Sequence, residues 1–184
     1  MQREVKDRNI LDEFCEEFCH TVEKYCKYIV VSGFVAISSG RTRGTEDIDI
    51  IIERIRKEKF LKLEKELKKK GFVCIQTTKP EEAYTYLSEN ESLRFHKKER
   101  PLPEMEVKFV KDVLDEYQMQ TRTKLVLTGL NIWFSNINVN IAFKEELLKS
   151  PKDLEDAKHL RTVYKEKVSQ KKINEVKKLI REQR

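Results

Sequence analysis

The sequence predicts a mixed α/β fold, in which a small sheet is flanked by helices and followed by a helical C-terminal extension. Largely apolar, β-branched runs at residues 28–31, 47–52 and 72–75 indicate strands that are covered on both faces. The segments between these runs place apolar residues at three- and four-residue steps, which is the spacing of amphipathic helices. Helices that alternate with strands indicate an α/β or α+β sheet. We expect the core at residues 1–136 and the extension at residues 137–184.

The first predicted helix covers about residues 9–26 and buries one stripe of side chains. The stripe consists of Leu11, Phe14, Cys15, Phe18, Cys19, Val22, Tyr25 and Cys26. Metal binding by Cys15, Cys19 and His20 is one interpretation of this segment. We favour a core role for the cysteines, because free cysteine packs as a small hydrophobe.

The remaining elements are predicted from the same periodicities and from turn and capping residues. They are a brief helix at 34–39, a loop at 40–44, a helix at 57–70 that ends at Gly71, a short helix near Ala83, strands near 93–96 and at 104–110, a hairpin of residues 125–127 and 131–134 about Gly129, and helices at 138–148, from Ser150-Pro151 onward and at about 170–183. Ser150 is a good N-cap, and Pro151 suits the first helical position.

Composition and charge give weaker information about partners and location. The net charge is +6, from 38 basic and 32 acidic residues, and a basic excess can attract phosphate-bearing partners. A surface of mixed Lys and Glu ion pairs is the simpler explanation. The chain begins with charged residues and has no apolar run near the roughly 20 residues that span a bilayer. We therefore expect a reduced, cytoplasmic protein without a membrane partner.

Asp47 and Asp49 are the strongest candidates for a chemical role. Side chains alternate between the two faces of a strand, so both carboxylates project from one side of an otherwise apolar segment. Two neighbouring carboxylates repel each other and are costly to desolvate, and no structural role accounts for them there. A divalent cation does, because Mg²⁺ is bound by one or two carboxylates together with phosphate oxygens.

The segment before this strand contains groups that suit a phosphate. Ser32-Gly33 ends the first strand where a helix begins, which leaves backbone N–H groups free. Arg41 and Arg43 lie in the connection and can pair with phosphate oxygens in a fork geometry. An exposed loop charge is the alternative interpretation of either arginine.

Residues 32–49 resemble the signature of the nucleotidyltransferase superfamily. Ser32-Gly33, then thirteen residues, then Asp47-Ile48-Asp49 is similar to the superfamily's small Gly-Gly or Gly-Ser pair and its Asp-x-Asp strand. Residues 40–49 look like the Arg-x-Thr-x-Asp-h-Asp form of a branch that contains abortive-infection toxin nucleotidyltransferases and archaeal and bacterial relatives. The resemblance implies that Asp47 and Asp49 are metal ligands. The nucleotide-binding residues that it implies in this segment are Ser32, Gly33, Arg43 and Thr45. Ser32 stands where the superfamily usually has its first Gly.

The resemblance resumes on later segments. Residues 141–144 and 150–157 are similar to the branch's helical Lys and Lys-Asp-x-x-Asp motifs. The positions that match are Lys144, Lys152, Asp153 and Asp156, which the resemblance implies are nucleotide-binding. The superfamily's third catalytic and metal-binding carboxylate lies on a later strand, where Glu106 is the best match and Glu104 the fallback.

The resemblance implies magnesium-dependent transfer of a nucleoside monophosphate from a nucleoside triphosphate to an acceptor hydroxyl, with one or two Mg²⁺ ions. The acceptor is a tRNA, a protein or a small molecule. A catalytically weak or inactive relative, for example an antitoxin-like or regulatory protein, is the first alternative, and Ser32 favours it. A nucleic-acid-binding module that uses the Lys-rich helices at 56–70 and 165–184 is the second, although evenly mixed Glu and Lys argue against it.

Overall fold

The computed structural model describes residues 10–42, 44 and 47–184, and a mixed sheet lies at its centre. The strands are β1 (Tyr28–Val31), β2 (Asp47–Ile52), β3 (Phe72–Cys74), β4 (Leu93–Lys97), β5 (Arg100–Phe109), β6 (Thr123–Lys124) and β7 (Trp133–Phe134). Within the described residues they form one seven-stranded sheet in the order β3-β4-β5-β2-β1-β7-β6. The predicted class, a mixed sheet flanked by helices, is confirmed.

Helices surround this sheet and make up most of the chain after β7. They are α1 (Ile10–Glu23), α2 (Gly33–Ser38), α3 (Lys57–Lys69), α4 (Pro80–Ser88), α5 (Val113–Gln120), α6 (Ile137–Phe143), α7 (Pro151–Val163) and α8 (Gln170–Glu182), with a 3₁₀ turn at Val126–Thr128 and a π turn at Lys144–Leu148. In the described part of the chain, none of these helices has both the length and the apolar character needed to cross a membrane.

Strand β2 occupies the middle of the sheet and has different environments on its two faces. It pairs antiparallel with β1 and parallel with β5. Ile48, Ile50 and Ile52 are buried in the main core, and helix α2 packs against this strand. The opposite face carries Asp47 and Asp49, and then Ile51, which belongs to a smaller apolar cluster with Ile29 and with Met119 of α5. The alternation of the strand therefore separates a packing face from a polar face.

Helix α1 confirms the buried stripe. Phe14, Cys15, Phe18 and Cys19 are buried, and the ring of Phe18 packs edge-on against that of Phe72 with centroids 5.0 Å apart. The cysteines are free thiols within this core. The exposed His20 lies against the backbone carbonyl of Asn131, at 2.9 Å from Nε2. The segment thus has the core role that its periodicity favours.

The hairpin before α6 differs from its prediction. Strands occur only at Thr123–Lys124 and Trp133–Phe134, which pair antiparallel, and residues 126–128 form the 3₁₀ turn. The Thr128 hydroxyl donates to the carbonyl of Leu125 at 2.7 Å, and Gly129 has φ 70°, so the local geometry closes a turn where a strand was expected. Helix α5 also has no counterpart among the predicted elements.

The helices after β7 pack on one another and on α2. Ser150 caps α7 as predicted: its hydroxyl accepts from the backbone N–H of Asp153, whose carboxylate in turn accepts from the N–H of Ser150. Glu145 on the π turn joins α7 and α8, because its carboxylate accepts from Arg161 at 2.7 Å and from Lys177 at 2.6 Å. The predicted boundary between residues 136 and 137 falls between β7 and α6. The division of the chain into a core and a helical extension stays a prediction.

Candidate active site

Of the two aspartates on the polar face of β2, Asp49 lies at a cavity. Asp47 begins the strand and is exposed, whereas Asp49 is partly buried. Asp49 lines a cavity of about 240 Å³. Beneath the cavity is the sheet, and α5, α6 and the π turn contribute the other walls. The face of β2 that carries the aspartates therefore borders this cavity at Asp49.

Strand β5 adds two carboxylates beside them. In the parallel pairing of β2 and β5, Asp47 is the register partner of Glu104, and Asp49 is the register partner of Glu106. Neighbouring strands lie about 4.8 Å apart, so side chains at paired positions on one face are close. The negative charge of Glu106 is close enough to act on the carboxyl group of Asp49. Glu106, like Asp49, lines the cavity. Of the two candidates for the third carboxylate, Glu106 is the one that faces this space.

The pKa values of the two facing carboxyl groups are shifted in opposite directions. Burial, and then the negative charge of Glu106, raise the pKa of Asp49 to about 6. Burial also acts to raise the pKa of Glu106, but the ammonium of Lys108 at 3.1 Å and the guanidinium of Arg94 at 3.5 Å hold it below its usual value. Asp49 is therefore the member of the pair that retains a proton more readily. Added positive charge at this point would favour ionisation of both.

The turn after β1 has an unusual backbone conformation at Ser32. Ser32 has φ 64° and ψ −139°, a combination that glycine adopts easily and other residues adopt with strain. Gly33 is the first residue of α2, and the Ser32 hydroxyl makes no cap hydrogen bond to that helix. Ser32 also lines the cavity beside Asp49. A serine thus occupies the position where the resembling motif has its first glycine.

The loop from α2 to β2 is joined to helix α7. Arg41, which we considered as a phosphate ligand, donates instead to Asp156 and to Glu155, the latter at 2.7 Å. Arg43 and Thr45 lie outside the described residues. The contact of Arg41 with α7 fixes one end of the loop that precedes Asp47.

The C-terminal motif divides between the cavity and the surface. Lys144 is fully buried and lines the cavity that Asp49 also lines. Its ammonium donates to the buried carboxylate of Asp156 at 2.9 Å and lies 3.6 Å from that of Asp153. Lys152 is exposed and does not line this cavity. Helix α7 therefore positions Lys144 through its two aspartates, while Lys152 faces solvent.

Several cavity residues were not selected from the sequence as site residues. They are Val31, Ile51, Lys111, Asp115, Gln118, Asn140, Phe143 and Leu147. Asp112, whose side chain accepts from the N–H of Asp115, is a helix-start signal that indicates α5. No sequence motif marks the amide side chain of Asn140 on α6.

The carboxylates suit a hard cation. All three candidate ligands supply oxygen atoms, and the raised pKa of Asp49 reflects burial and then the negative charge of Glu106, both of which a bound cation would offset. Among the described residues, no group of three Asp, Glu, His or Cys side chains forms a ready-made metal cage. Mg²⁺ does not require one, since it commonly keeps several waters and uses one or two carboxylates with substrate phosphates. The residues present therefore fit Mg²⁺ bound together with a triphosphate.

The fold is shared with solved nucleotidyltransferases. The antibiotic-resistance factor ANT(2'')-Ia matches in a solution structure, with 13% identity, a TM-score of 0.54, and 94% of each chain covered. Its crystal structure in complex with adenylyl-2''-tobramycin matches with 13% identity and a TM-score of 0.58, over 95% of this chain and 99% of that one. An antigenic nucleotidyltransferase-like protein from Paracoccidioides brasiliensis matches with 17% identity and a TM-score of 0.54, over 95% and 87%.

Comparisons of sequence give no further assignment. No family model matches the chain, and no curated protein matches it. The structural matches nevertheless cover nearly the whole chain, so the protein has the nucleotidyltransferase fold. The branch with abortive-infection toxins stays a prediction.

Proposed function

We propose that the protein is a magnesium-dependent nucleotidyltransferase, which transfers a nucleoside monophosphate from a nucleoside triphosphate to an acceptor hydroxyl. The observation that carries this proposal is the position of Asp47, Asp49 and Glu106 on one face of two adjacent strands, where Asp49 and Glu106 line a cavity. Two of the solved structures that share the fold are of the antibiotic-resistance factor ANT(2'')-Ia, one of them with adenylyl-2''-tobramycin.

Asp47 and Asp49 are the proposed magnesium ligands, with Glu106 as a third carboxylate. Bound Mg²⁺ would supply positive charge beside the reacting phosphate and the leaving group. Lys144 would add a cation for the phosphates at the cavity wall, with its ammonium already held in place by Asp156. Ser32 and Gly33 would present the turn between β1 and α2 to the phosphates. Phosphate roles for Arg43, Thr45, Lys152 and Asp153 remain part of the proposal.

The proposed reaction joins the acceptor oxygen to the α-phosphorus and breaks the bond to the β-phosphate oxygen, so that pyrophosphate leaves with those electrons. The acceptor hydroxyl loses its proton in this step. Glu106 is suited to accept a hydrogen bond from that hydroxyl and then its proton, because Lys108 and Arg94 keep its carboxylate charged. Its position opposite Asp49 would orient the acceptor towards the phosphate.

The acceptor belongs to one of three classes: a tRNA, a protein hydroxyl or a small molecule. One structure of ANT(2'')-Ia contains adenylyl-2''-tobramycin, which favours testing small polyhydroxylated molecules as acceptors first. The net charge of +6 is compatible with an anionic acceptor such as RNA. A cytoplasmic location and a role in a toxin–antitoxin pair belong to the same proposal.

A second candidate is a nucleotide-binding protein with little or no turnover. The observation that favours it is Ser32, because a side chain at φ 64° stands where the resembling motif has a glycine that lets the backbone approach phosphate closely. Such a protein would bind magnesium and triphosphate without releasing pyrophosphate.

The experiment that separates these functions follows the label of α-³²P nucleoside triphosphates. The protein is incubated with Mg²⁺, each triphosphate, and separate pools of tRNA, protein and aminoglycosides. Transfer of label to one pool, with release of pyrophosphate and loss of both in Asp49→Asn, supports the enzyme. Binding of triphosphate without transfer supports the second candidate. Label transfer that persists in Asp49→Asn would contradict the proposed site.

A further inference from the structure

Helix α6 contains two buried asparagines whose hydrogen bonding differs. Asn138 is satisfied at both ends: its amide nitrogen donates to the carbonyl of Lys167 at 3.3 Å, and its carbonyl accepts from the N–H of Ser169 at 2.8 Å. Asn140, two residues later, is only 3% exposed. Its side-chain carbonyl oxygen accepts no hydrogen bond from any residue that the structure describes. Buried polar atoms nearly always have a partner, so this oxygen requires an explanation.

The place of Asn140 in the fold supplies one. Asn140 lines the same cavity as Asp49, Glu106 and Lys144. The backbone of Asn140 is already satisfied in the helix, since its N–H donates to the carbonyl of Asn136 at 2.8 Å. The side chain is therefore not needed to hold α6 together, in contrast to that of Asn138. An unpaired acceptor at a cavity wall is suited to a ligand.

The surroundings of Asn140 indicate what kind of ligand. The cavity wall beside it is apolar, with Phe143 and Leu147 on the following turns and Val31 and Ile51 on the sheet. Small-molecule pockets commonly combine such apolar walls with a few polar groups that fix orientation. A planar, partly apolar group with a hydrogen-bond donor fits this part of the cavity, whereas an ionised phosphate offers no donor to the carbonyl oxygen of Asn140.

The volume of the cavity limits how much of a ligand it holds. Pockets for drug-sized ligands have about 300–1,000 Å³, and this cavity has about 240 Å³. A whole nucleoside triphosphate therefore extends beyond the cavity, and only part of it lies beside Asn140. Of the parts of a nucleotide, the nucleoside is the one with N–H and O–H donors, so the part beside Asn140 belongs to the nucleoside.

We propose that Asn140 is a nucleoside-recognition residue, whose buried side-chain carbonyl accepts a hydrogen bond from an N–H or O–H donor of the bound nucleoside triphosphate. This inference rests on the proposed nucleotidyltransferase function and specifies its substrate site. The donor is either an exocyclic amine of the base or a hydroxyl of the ribose. Both share the chemistry that the unpaired oxygen needs.

The test compares ligands that contain a nucleoside with one that lacks it. The variants are Asn140→Leu, which removes the carbonyl at similar volume, and Asn138→Leu as the matched control on the same helix. Titration calorimetry in Mg²⁺ measures binding of α,β-methylene ribonucleoside triphosphates, and inorganic tripolyphosphate serves as the probe for the phosphate site. Thermal unfolding reports whether each variant is folded, and Asn140→Ala replaces Asn140→Leu where the leucine does not fit.

We expect Asn140→Leu to weaken binding of the preferred nucleoside triphosphate about tenfold, which is the effect of one buried hydrogen bond to a ligand. Tripolyphosphate affinity should not change, and the melting temperature should not fall. Asn138→Leu should lower the melting temperature and leave both affinities unchanged. Loss of discrimination among the four bases identifies a base donor, and loss of the preference for ribose over 2'-deoxyribose identifies a sugar donor.

Two results would overturn the assignment of Asn140 while leaving the proposed function in place. One is an unchanged affinity for nucleoside triphosphates in Asn140→Leu. The other is an equal loss for nucleoside triphosphates and tripolyphosphate, which would mean that the substitution acts on the phosphate site. A parent protein that binds neither ligand would overturn the proposed function together with this inference.

Discussion

Asp49 and Glu106 face each other directly across the parallel pairing of β2 and β5, although they come from distant parts of the chain. Burial together with the charge of Glu106 raises the pKa of Asp49 to about 6. A protein gains no stability from this pairing of acids, so their proximity indicates a ligand that brings positive charge. The predictions below follow from that arrangement.

The register of β5 distinguishes the two candidate third carboxylates. Glu106→Gln should reduce nucleotidyl transfer by about 10²-fold or more, the range for removal of a group that positions or deprotonates the reacting hydroxyl. Glu104→Gln should have a far smaller effect, because Glu104 pairs with Asp47 at the outer end and does not line the cavity. Single-turnover rates at saturating triphosphate make the comparison. Equal losses of the transfer rate in the two variants would show that Glu106 is not the third catalytic carboxylate.

Lys144 should matter much more than Lys152. Lys144→Met removes the buried ammonium at the cavity, and we expect triphosphate affinity to fall about tenfold or more, because hydrogen bonds to charged groups are strong. Lys152→Met should lower affinity less than Lys144→Met does, because Lys152 is exposed, and Lys178→Met, which removes an exposed charge on the last helix, should change affinity less than about twofold. Equal effects from all three would show that only general basic charge attracts the ligand.

The buried position of Lys144 calls for a control on stability. Removing one member of a buried ion pair costs about 3–5 kcal/mol, here moderated because Arg41 also donates to Asp156. The double variant Lys144→Met/Asp156→Asn should recover part of that loss in denaturant unfolding, yet bind triphosphate no better than Lys144→Met. Recovery of affinity along with stability would assign Lys144 a purely structural role.

Ser32→Gly should stabilise the protein. A residue other than glycine with φ 64° and ψ −139° is strained by about 1–3 kcal/mol, and glycine's greater freedom in the unfolded chain offsets part of the gain. We expect a net increase of about 1 kcal/mol in the free energy of unfolding, measured in urea. Asn90→Gly, at φ 65°, is the control and should gain less, because asparagine tolerates the left-handed region. A lower free energy of unfolding in Ser32→Gly than in the parent would contradict backbone strain at Ser32.

The strands and most helices could be predicted from the sequence because they depend on local patterns. The β-branched run of β2, the stripe on α1 and the cap at Ser150 all signal their structure within a few residues. Helix α5 was not predicted because its apolar positions form only a weak stripe. The 3₁₀ turn near Thr128 was not predicted because it depends on the hydrogen bond from the Thr128 hydroxyl to the carbonyl of Leu125, which the apolar pattern does not reveal.

The site was less predictable, because it depends on contacts between distant segments. The alternation along β2 is enough to place Asp47 and Asp49 together. It does not reveal that Asp156 holds Lys144 or that Arg41 turns towards α7 and away from a phosphate. The unpaired carbonyl of Asn140 is visible only once the cavity and the rest of α6 are known.

Glu145 should stabilise the folded protein at neutral pH and lose this effect in acid. Burial acts to raise its pKa, but hydrogen bonds from Arg161 and Lys177 hold it below the usual value. A carboxylate with a lowered pKa stabilises the folded state above its unfolded pKa of about 4.3, and that stability is lost as the pH falls through the folded value. Glu145→Gln should therefore cost about 1 kcal/mol at pH 7 and progressively less below about pH 4.

Urea unfolding at pH 7, 5.5 and 3.5 measures this difference between parent and variant. Glu182→Gln is the control, since Glu182 forms only an exposed pair with Lys178 at 3.7 Å and should change stability by less than about 0.5 kcal/mol at every pH. A Glu145→Gln penalty that stays constant from pH 7 to 3.5 would show that the charge of Glu145 does not join α7 and α8.

The most direct measurement of the central claim is the magnesium dependence of triphosphate binding to the Asp47–Asp49 pair. Calorimetric titration with α,β-methylene-ATP and the other three α,β-methylene ribonucleoside triphosphates is performed in Mg²⁺ and in EDTA. The proteins are the parent, the double variant Asp47→Asn/Asp49→Asn and the control Glu53→Gln, which alters the carboxylate just beyond the other end of β2. We predict binding only in Mg²⁺, its loss in the double variant with no loss of thermal stability, and its retention in Glu53→Gln. Equal affinity in EDTA, or in the double variant, would contradict the assignment of these two aspartates as the metal site.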